Sequence, residues 1–145
     1  MGTIKFMKIR TNAKTPFKAE SGSAGYDLSA AIDRTVVIAP HTTVKIGTGL
    51  AIEPPIGYFG AIFARSGIAA KEGLRPANCV GVADFSYRGE YIVALHNDSD
   101  EIRIIEPGQR IAQLVFLPYI DGEFEEVESL SETERADGGF GHSGK

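Results

Sequence analysis

Short runs rich in Val, Ile, Thr, Tyr and Phe recur along most of the chain, and each is cut off within a few residues by Gly, Pro or an Asn/Asp cluster. That spacing is the tightest constraint on what this chain can fold into. A run of about four to eight such residues ending in a breaker is too short for a useful helix but long enough for a strand. The candidate strands are Ile4–Ile9, Tyr26–Ala30, Thr35–Ile38, Thr43–Ile46, Leu50–Ile52, Tyr58–Ala64, Cys79–Val82, Glu90–His96, Glu101–Ile105, Arg110–Pro118 and Glu123–Val127. Breakers such as Pro54-Pro55-Ile56-Gly57, Asn97-Asp98-Ser99-Asp100 and Pro107-Gly108 separate them. Only Ser66–Glu72 reads as a helix, with Ser66 as its N-cap and Gly73 as its stop. The expectation is an all-β sandwich, barrel or jelly roll with one short helix.

A chain of 145 residues is long enough to bury one real core and fits a single domain. No apolar run approaches the roughly 18 residues of a membrane span, and Met1–Lys8 lacks the pattern of a signal peptide. One cysteine, Cys79, excludes an internal disulfide framework and fits a reducing compartment, so a cytoplasmic location is expected. Residues 1–120 hold 13 basic and 11 acidic side chains, whereas residues 121–145 hold 2 and 8. An acidic end argues against general nucleic-acid binding, which needs a basic face. It leaves room for a small phosphorylated ligand gripped by a few arginines.

From about Leu130 the chain turns glycine-rich and poor in apolar residues, a composition that cannot build its own core. The expected division is a β-barrel domain over 1–130 and a flexible tail over 131–145. Gly139–Lys145 matches the first positions of a phosphate-binding P-loop, but that loop needs a strand before it and a helix after it, and the sequence ends at Lys145. The P-loop reading is rejected. His41, His96 and His142 are scattered, with no zinc-ligand spacing.

Four internal segments concentrate chemistry. Gly81–Glu90 crowds Asp84, Tyr87 and Arg88 at the tip between two strand-like runs, more polar chemistry than a turn requires. Ala64-Arg65-Ser66-Gly67 puts a guanidinium, a hydroxyl and free backbone N–H groups at a strand-to-helix junction, a small anion site or simply a capped helix start. Ala24–Ala30 places Asp27 in an apolar strand, where it needs partners: a neighbouring backbone, or the waters of a hydrated Mg²⁺. In Gly108–Val115, Arg110 and Gln113 are three apart and on a regular strand point to opposite faces.

Taken in order, AGYDLSA (24–30), ARSG (64–67), GVADFSYRGE (81–90), GQRIAQLV (108–115) and RADGGFGHSG (135–144) resemble the five motifs of the trimeric dUTPase family. The resemblance spans nearly the whole chain. It implies a jelly-roll β-barrel homotrimer, with three active sites shared between subunits and the C-terminal tail closing over a neighbour's nucleotide. It also implies hydrolysis of dUTP to dUMP and pyrophosphate, with Mg²⁺ as cofactor chelated by the triphosphate. Such an enzyme limits uracil in DNA and supplies dUMP for thymidylate synthesis.

The same resemblance assigns roles. The hairpin 78–92 is expected to accept uracil through Asn78 and main-chain groups of Val82, Ala83 and Ile92. Tyr87 lies against the deoxyribose and excludes a 2′-hydroxyl. Asp84 is the catalytic base for the water that attacks the α-phosphorus. Arg65, Ser66, Gly67 and Gln113 hold phosphates, and Asp27 touches the metal through water. From the tail, Phe140 stacks on uracil, while Arg135 and the backbone around Gly141 clamp the phosphates.

The chain departs from the family pattern at Ala83, where Ile is usual, and at Ser86, where a second acid is usual. Gln109 stands for an acid and Ala136 for a glycine. The loss of Ile leaves space of about three methylenes beside Asp84. A deaminase of related fold needs an acid/base at the pyrimidine C4, whereas Asp84, Tyr87-Arg88-Gly89 and the complete tail motif favour hydrolysis. A non-catalytic binding module would have lost matched catalytic positions, and none is lost here.

Overall fold

The computed structural model describes residues 2–133 and residue 137. Eleven strands and one helix are present among them: β1 Lys5–Lys8, β2 Tyr26–Ser29, β3 Val36–Ile38, β4 Thr43–Gly47, β5 Leu50–Glu53, β6 Tyr58–Phe63, α1 Ser66–Glu72, β7 Leu74–Pro76, β8 Gly81–Ala83, β9 Ile92–Asn97, β10 Arg103–Ile105 and β11 Arg110–Pro118. All pairings are antiparallel. The strands form four small sheets, β2-β11-β6-β8, β4-β9-β7, β1-β5 and β3-β10, wrapped as a jelly roll. The all-β expectation is met.

Alternation explains the packing. Along β9 the side chains of Val93, Leu95 and Asn97 are buried, while Ile92 faces out. Leu28, Ile38, Leu50, Leu74, Leu95, Ile105 and Ile111 are fully buried and form one continuous core. Burial of each such side chain contributes about 1.5–3 kcal/mol before chain entropy is subtracted.

Four local readings change. Leu74–Pro76 is a strand, paired with β9 at a sheet edge, where a proline's missing N–H costs nothing. The Cys79–Val82 strand begins only at Gly81, because Cys79 has φ 61 and its N–H closes a turn onto Pro76. The strand at Glu123–Val127 does not form. It has no ladder partner among the described residues, and Phe124 stands wholly exposed. Nor is Ser66 the N-cap. Ala64 and Arg65 stay extended after β6, so Arg65 takes the cap position (φ −83, ψ 128) without a side-chain cap bond and Ser66 becomes the first helical residue. Gly73 ends the helix in left-handed conformation, φ 69, as expected.

A buried amide fastens the far end of the barrel. Asn97, with no exposed surface, donates to the carbonyls of Ile38, Ala39 and Glu101. Its Oδ1 accepts from the N–H and hydroxyl of Ser99. Asn97→Ala strips partners from several groups at once and is expected to cost about 3 kcal/mol. Urea unfolding followed by circular dichroism measures this as a lower midpoint at unchanged slope.

Candidate active site

The phosphate-type motifs converge at one cleft of about 700 Å³, lined by Asp27, Ala64, Arg65, Ser66, Gly67 and Gln113 among others. Strand pairing assembles it. On β11, Gln113 stands opposite Asp27 of β2 on one side and Phe63 of β6 on the other. The end of β6 therefore delivers Arg65 and Ser66 beside both. Gln113 donates to the Ala64 carbonyl at 2.8 Å, fixing the strand-to-helix junction.

At the centre is the Asp27 carboxylate. Its main-chain N–H and C=O are engaged by Phe17, at 2.7 and 3.2 Å. Its side chain binds two arginines: Arg65 Nε donates to Oδ1 at 2.8 Å and Arg110 Nη1 donates to Oδ2 at 2.9 Å. Arg65 Nη1 also donates to the Arg110 carbonyl at 3.4 Å. The partners of Asp27 are thus side-chain guanidiniums, and two positive charges on one negative leave the cluster net positive. Such a cluster suits an anion.

Arg110 and Gln113 do not simply face opposite ways. The β11–β2 register slips between Arg110 and Ala112, a β-bulge, and both Ile111 and Ala112 are buried. Two consecutive residues turn inward, which brings Arg110 round to Asp27. The bulge has no sequence signature beyond the flanking Pro107-Gly108 turn, and so Arg110 escapes a reading based on regular alternation.

A second cavity, about 200 Å³, lies in the hairpin between β8 and β9. Asn78, Val82, Ala83, Asp84, Tyr87 and Ile92 line it. Asp84 is exposed and also borders a third cavity with Phe85, Ser86 and Asp121. The turn that carries it is closed by Tyr87 N–H to the Asp84 carbonyl at 3.1 Å. Arg88 folds back to donate to the carbonyls of Phe85 and Tyr87, which explains its place in the motif as a brace. The Tyr87 hydroxyl donates to the Glu90 carbonyl at 2.9 Å.

Tyr91 is a residue that the sequence reading did not single out. Its side chain is buried at the base of this cavity, and its hydroxyl has no hydrogen-bond partner among the described residues. The phenol reaches the space above Gly60, the cross-strand neighbour of Ala83, where a β-carbon would lie 3.2 Å from the hydroxyl and 3.4 Å from the Ala83 methyl. The Tyr91 hydroxyl and the Ala83 methyl thus both face Gly60. Burial pushes this phenol from an ordinary 10.0 up to about 12, with Arg88 opposing the rise.

The two main cavities share no lining residue. One chain brings Asp27, Arg65, Ser66, Gly67 and Gln113 together, and separately brings Asn78, Val82, Ala83, Asp84, Tyr87 and Ile92 together. Arg135, Phe140 and Gly141 lie outside the described residues.

The sequence model of the dUTPase family matches residues 11–144. Deoxyuridine 5'-triphosphate nucleotidohydrolase of Desulfitobacterium hafniense is 52% identical over 142 residues, covering 97% of this chain and 94% of that protein. The protein of the same name from Klebsiella pneumoniae subsp. pneumoniae is 46% identical, covering 98% and 95%. Among solved structures, a mutant dUTPase of Staphylococcus bacteriophage 80alpha with dUpNHpp superposes with TM-score 0.90 at 30% identity, covering both chains completely. A mutant dUTPase of S. aureus phage phi11, described for its coordination of a structural Mg(II) ion, gives TM-score 0.78 at 28% identity over 88% of this chain and 98% of that one.

Tyr91 yields a pH prediction. A phenol whose acidity is weakened by folding holds its proton more tightly in the native state. Its contribution to stability is whole below pH 10 and is lost as pH rises through about 12. Two pH units correspond to about 2–3 kcal/mol. Tyr91→Phe is expected to abolish this alkaline loss while leaving neutral-pH stability equal or higher, because an unpaired hydroxyl is removed. Thermal unfolding at pH 7 and across pH 9.5–11.5 checks both.

Proposed function

The chain belongs to the dUTPase family, and from that premise we propose how its residues hydrolyse dUTP to dUMP and pyrophosphate. One observation carries the reading: a cleft lined by Asp27 and Arg65, with Arg110 as a second guanidinium on the same carboxylate, accompanies a separate narrow cavity bordered by an exposed carboxylate and an aromatic gate. A nucleoside triphosphate has the matching parts.

In this reading uracil enters the hairpin cavity, where Asn78 and the backbone of Val82, Ala83 and Ile92 meet its polar edge. Tyr87 lies against the sugar and leaves no space for a 2′-hydroxyl. Asp84 accepts a proton from the attacking water, which adds to the α-phosphorus as the bond to the bridging oxygen of the β-phosphate breaks. Ordinary carboxylates are weak bases at neutral pH, so this help is typically ~10²–10⁴-fold. Arg65, Ser66, Gly67 and Gln113 hold the triphosphate and offset charge gathering on the leaving pyrophosphate, an effect that can reach ~10³–10⁵-fold in phosphoryl transfer. Charge clamping therefore rivals the base.

The residues also suit Mg²⁺. Among the described residues no group of three His, Cys, Asp or Glu side chains could cage an ion. Asp27, the single carboxylate lining the cleft, keeps lone pairs beyond those that accept from arginine. That donor set fits an ion that arrives on the triphosphate and retains its waters, with Asp27 touching one of those waters. When bound, Mg²⁺ neutralises phosphate charge.

The site is proposed to be completed by assembly. The separation of the two cavities supports a homotrimer in which one copy's cleft faces another's hairpin. Ile120, Phe124 and Leu130, all strongly exposed on a segment without regular structure, supply apolar surface for a neighbouring copy. Residues 131–145 are then the tail that closes over the nucleotide through Arg135, Phe140 and Gly141.

Two experiments test this. Pyrophosphate release from dUTP is expected to fall ~10²–10⁴-fold in Asp84→Asn without loss of folding; equally slow release by both proteins would refute the assignment. Deleting residues 135–145 is expected to nearly abolish turnover while thermal unfolding stays unchanged, and full activity in the truncated protein would exclude tail closure.

A further inference from the structure

The hydroxyl of Tyr87 ends on the carbonyl of Glu90 at 2.9 Å, and the carboxylate of that same Glu90 is anchored in the body of the barrel. Oε1 accepts the Gly49 N–H at 2.9 Å, and Oε2 accepts Arg10 Nη2 at 3.0 Å. The side chain is only 14% exposed although it sits at the base of a surface hairpin. Its seat is specific: a β-carbon on Gly47 would lie 2.4 Å from Oε1 and 3.1 Å from Cδ, so the carboxylate fits only because position 47 carries no side chain. The adjoining residue is held as well, since Tyr91 N–H donates to the Leu50 carbonyl and its own carbonyl accepts from Thr48 N–H and Oγ1.

We propose that Glu90 is a positioning residue for sugar selection, tying the Tyr87 phenol to the turn between β4 and β5 and to Arg10 so that its ring keeps a fixed distance from C2′ of a bound nucleotide. The inference rests on the reading of Tyr87 as the sugar gate. An aromatic gate excludes one oxygen atom only if it cannot retreat, and Tyr87, on an exposed turn, rests on Gly89 of the same turn and beside the Tyr91 ring at 6.1 Å. A carboxylate gripped by a backbone amide and a guanidinium makes charge-assisted bonds, stronger and shorter than neutral ones. The constraint passes through the main chain: side chain of Glu90 to barrel, carbonyl of Glu90 to Tyr87.

The test is the ratio of kcat/KM for UTP to that for dUTP. Glu90→Ala is expected to raise it about tenfold, as loss of one charged anchor allows the ring to yield. Glu90→Gln, which keeps an acceptor for Gly49, is expected to stay near the wild-type ratio. Arg10→Gln, changing a half-exposed partner, is expected to raise the ratio about threefold. An unchanged ratio in Glu90→Ala, with only lower thermal stability, would show a structural strut and overturn the proposal; if that variant does not fold, Arg10→Gln decides in the same way. Calorimetric binding of dUMP and UMP reads the same preference without hydrolysis. Failure of wild-type protein to hydrolyse dUTP would sink the proposed function, whereas an undiminished dUMP preference in Glu90→Ala and Arg10→Gln sinks the positioning role.

Discussion

One carboxylate between two guanidiniums organises the charged half of this molecule. Asp27 lies on β2, Arg65 at the end of β6 and Arg110 at the start of β11, so the cluster bridges three neighbouring strands of one sheet. Like charges do not approach one another unaided. The carboxylate between them makes the approach possible, and of the two guanidiniums Arg65 also lines the cleft. Each charged hydrogen bond contributes on the order of 1.5–3 kcal/mol when shielded, and less at Arg110, which is about half exposed. The geometry depends on the bulge at Arg110–Ala112. Without it Arg110 would follow strict alternation away from Asp27, and the carboxylate would keep a single guanidinium partner.

The hairpin follows a different rule. Its tip carries few packed side chains and is shaped by main-chain acceptors: the carbonyls of Asp84, Phe85, Tyr87 and Glu90 each receive a donor from within the turn. Below it, Tyr91 is buried with its hydroxyl facing Gly60, and that hydroxyl has no hydrogen-bond partner among the described residues. An orphan hydroxyl is costly, roughly 1–3 kcal/mol, and this one lies near Ala83, where the motif carries a smaller residue than usual.

Most of the architecture was legible because it rests on local chemistry. Breakers and β-branched runs mark nearly every strand, and Gly73 stops the only helix among the described residues. What sequence could not disclose depends on pairing. Glu123–Val127 has strand composition but no ladder partner among the described residues, while Leu74-Arg75-Pro76 has a proline yet finds a sheet edge. In the site, Asp27 and Gln113 are partners in register, and Arg65 follows β6 two residues after Phe63, the other partner of Gln113. Arg110, Glu90 and Tyr91 were not legible: the first depends on a bulge, the second on a long-range seat beside Gly47, and the third on a small neighbour across the sheet.

The division of the cavities also bears on inheritance. In the proposed trimer no chain serves itself, because the cleft of one copy works on the nucleotide held by another copy's hairpin. A chain crippled at Arg65 and a chain crippled at Asp84 would then each supply what the other lacks. Mixed assemblies would contain some sites built wholly from intact halves. Two alleles, each inactive alone, could restore growth together, whereas two alleles damaged in the same cavity could not. The map of which pairs rescue one another would reproduce, in genetics, the two lists of residues that the fold keeps apart.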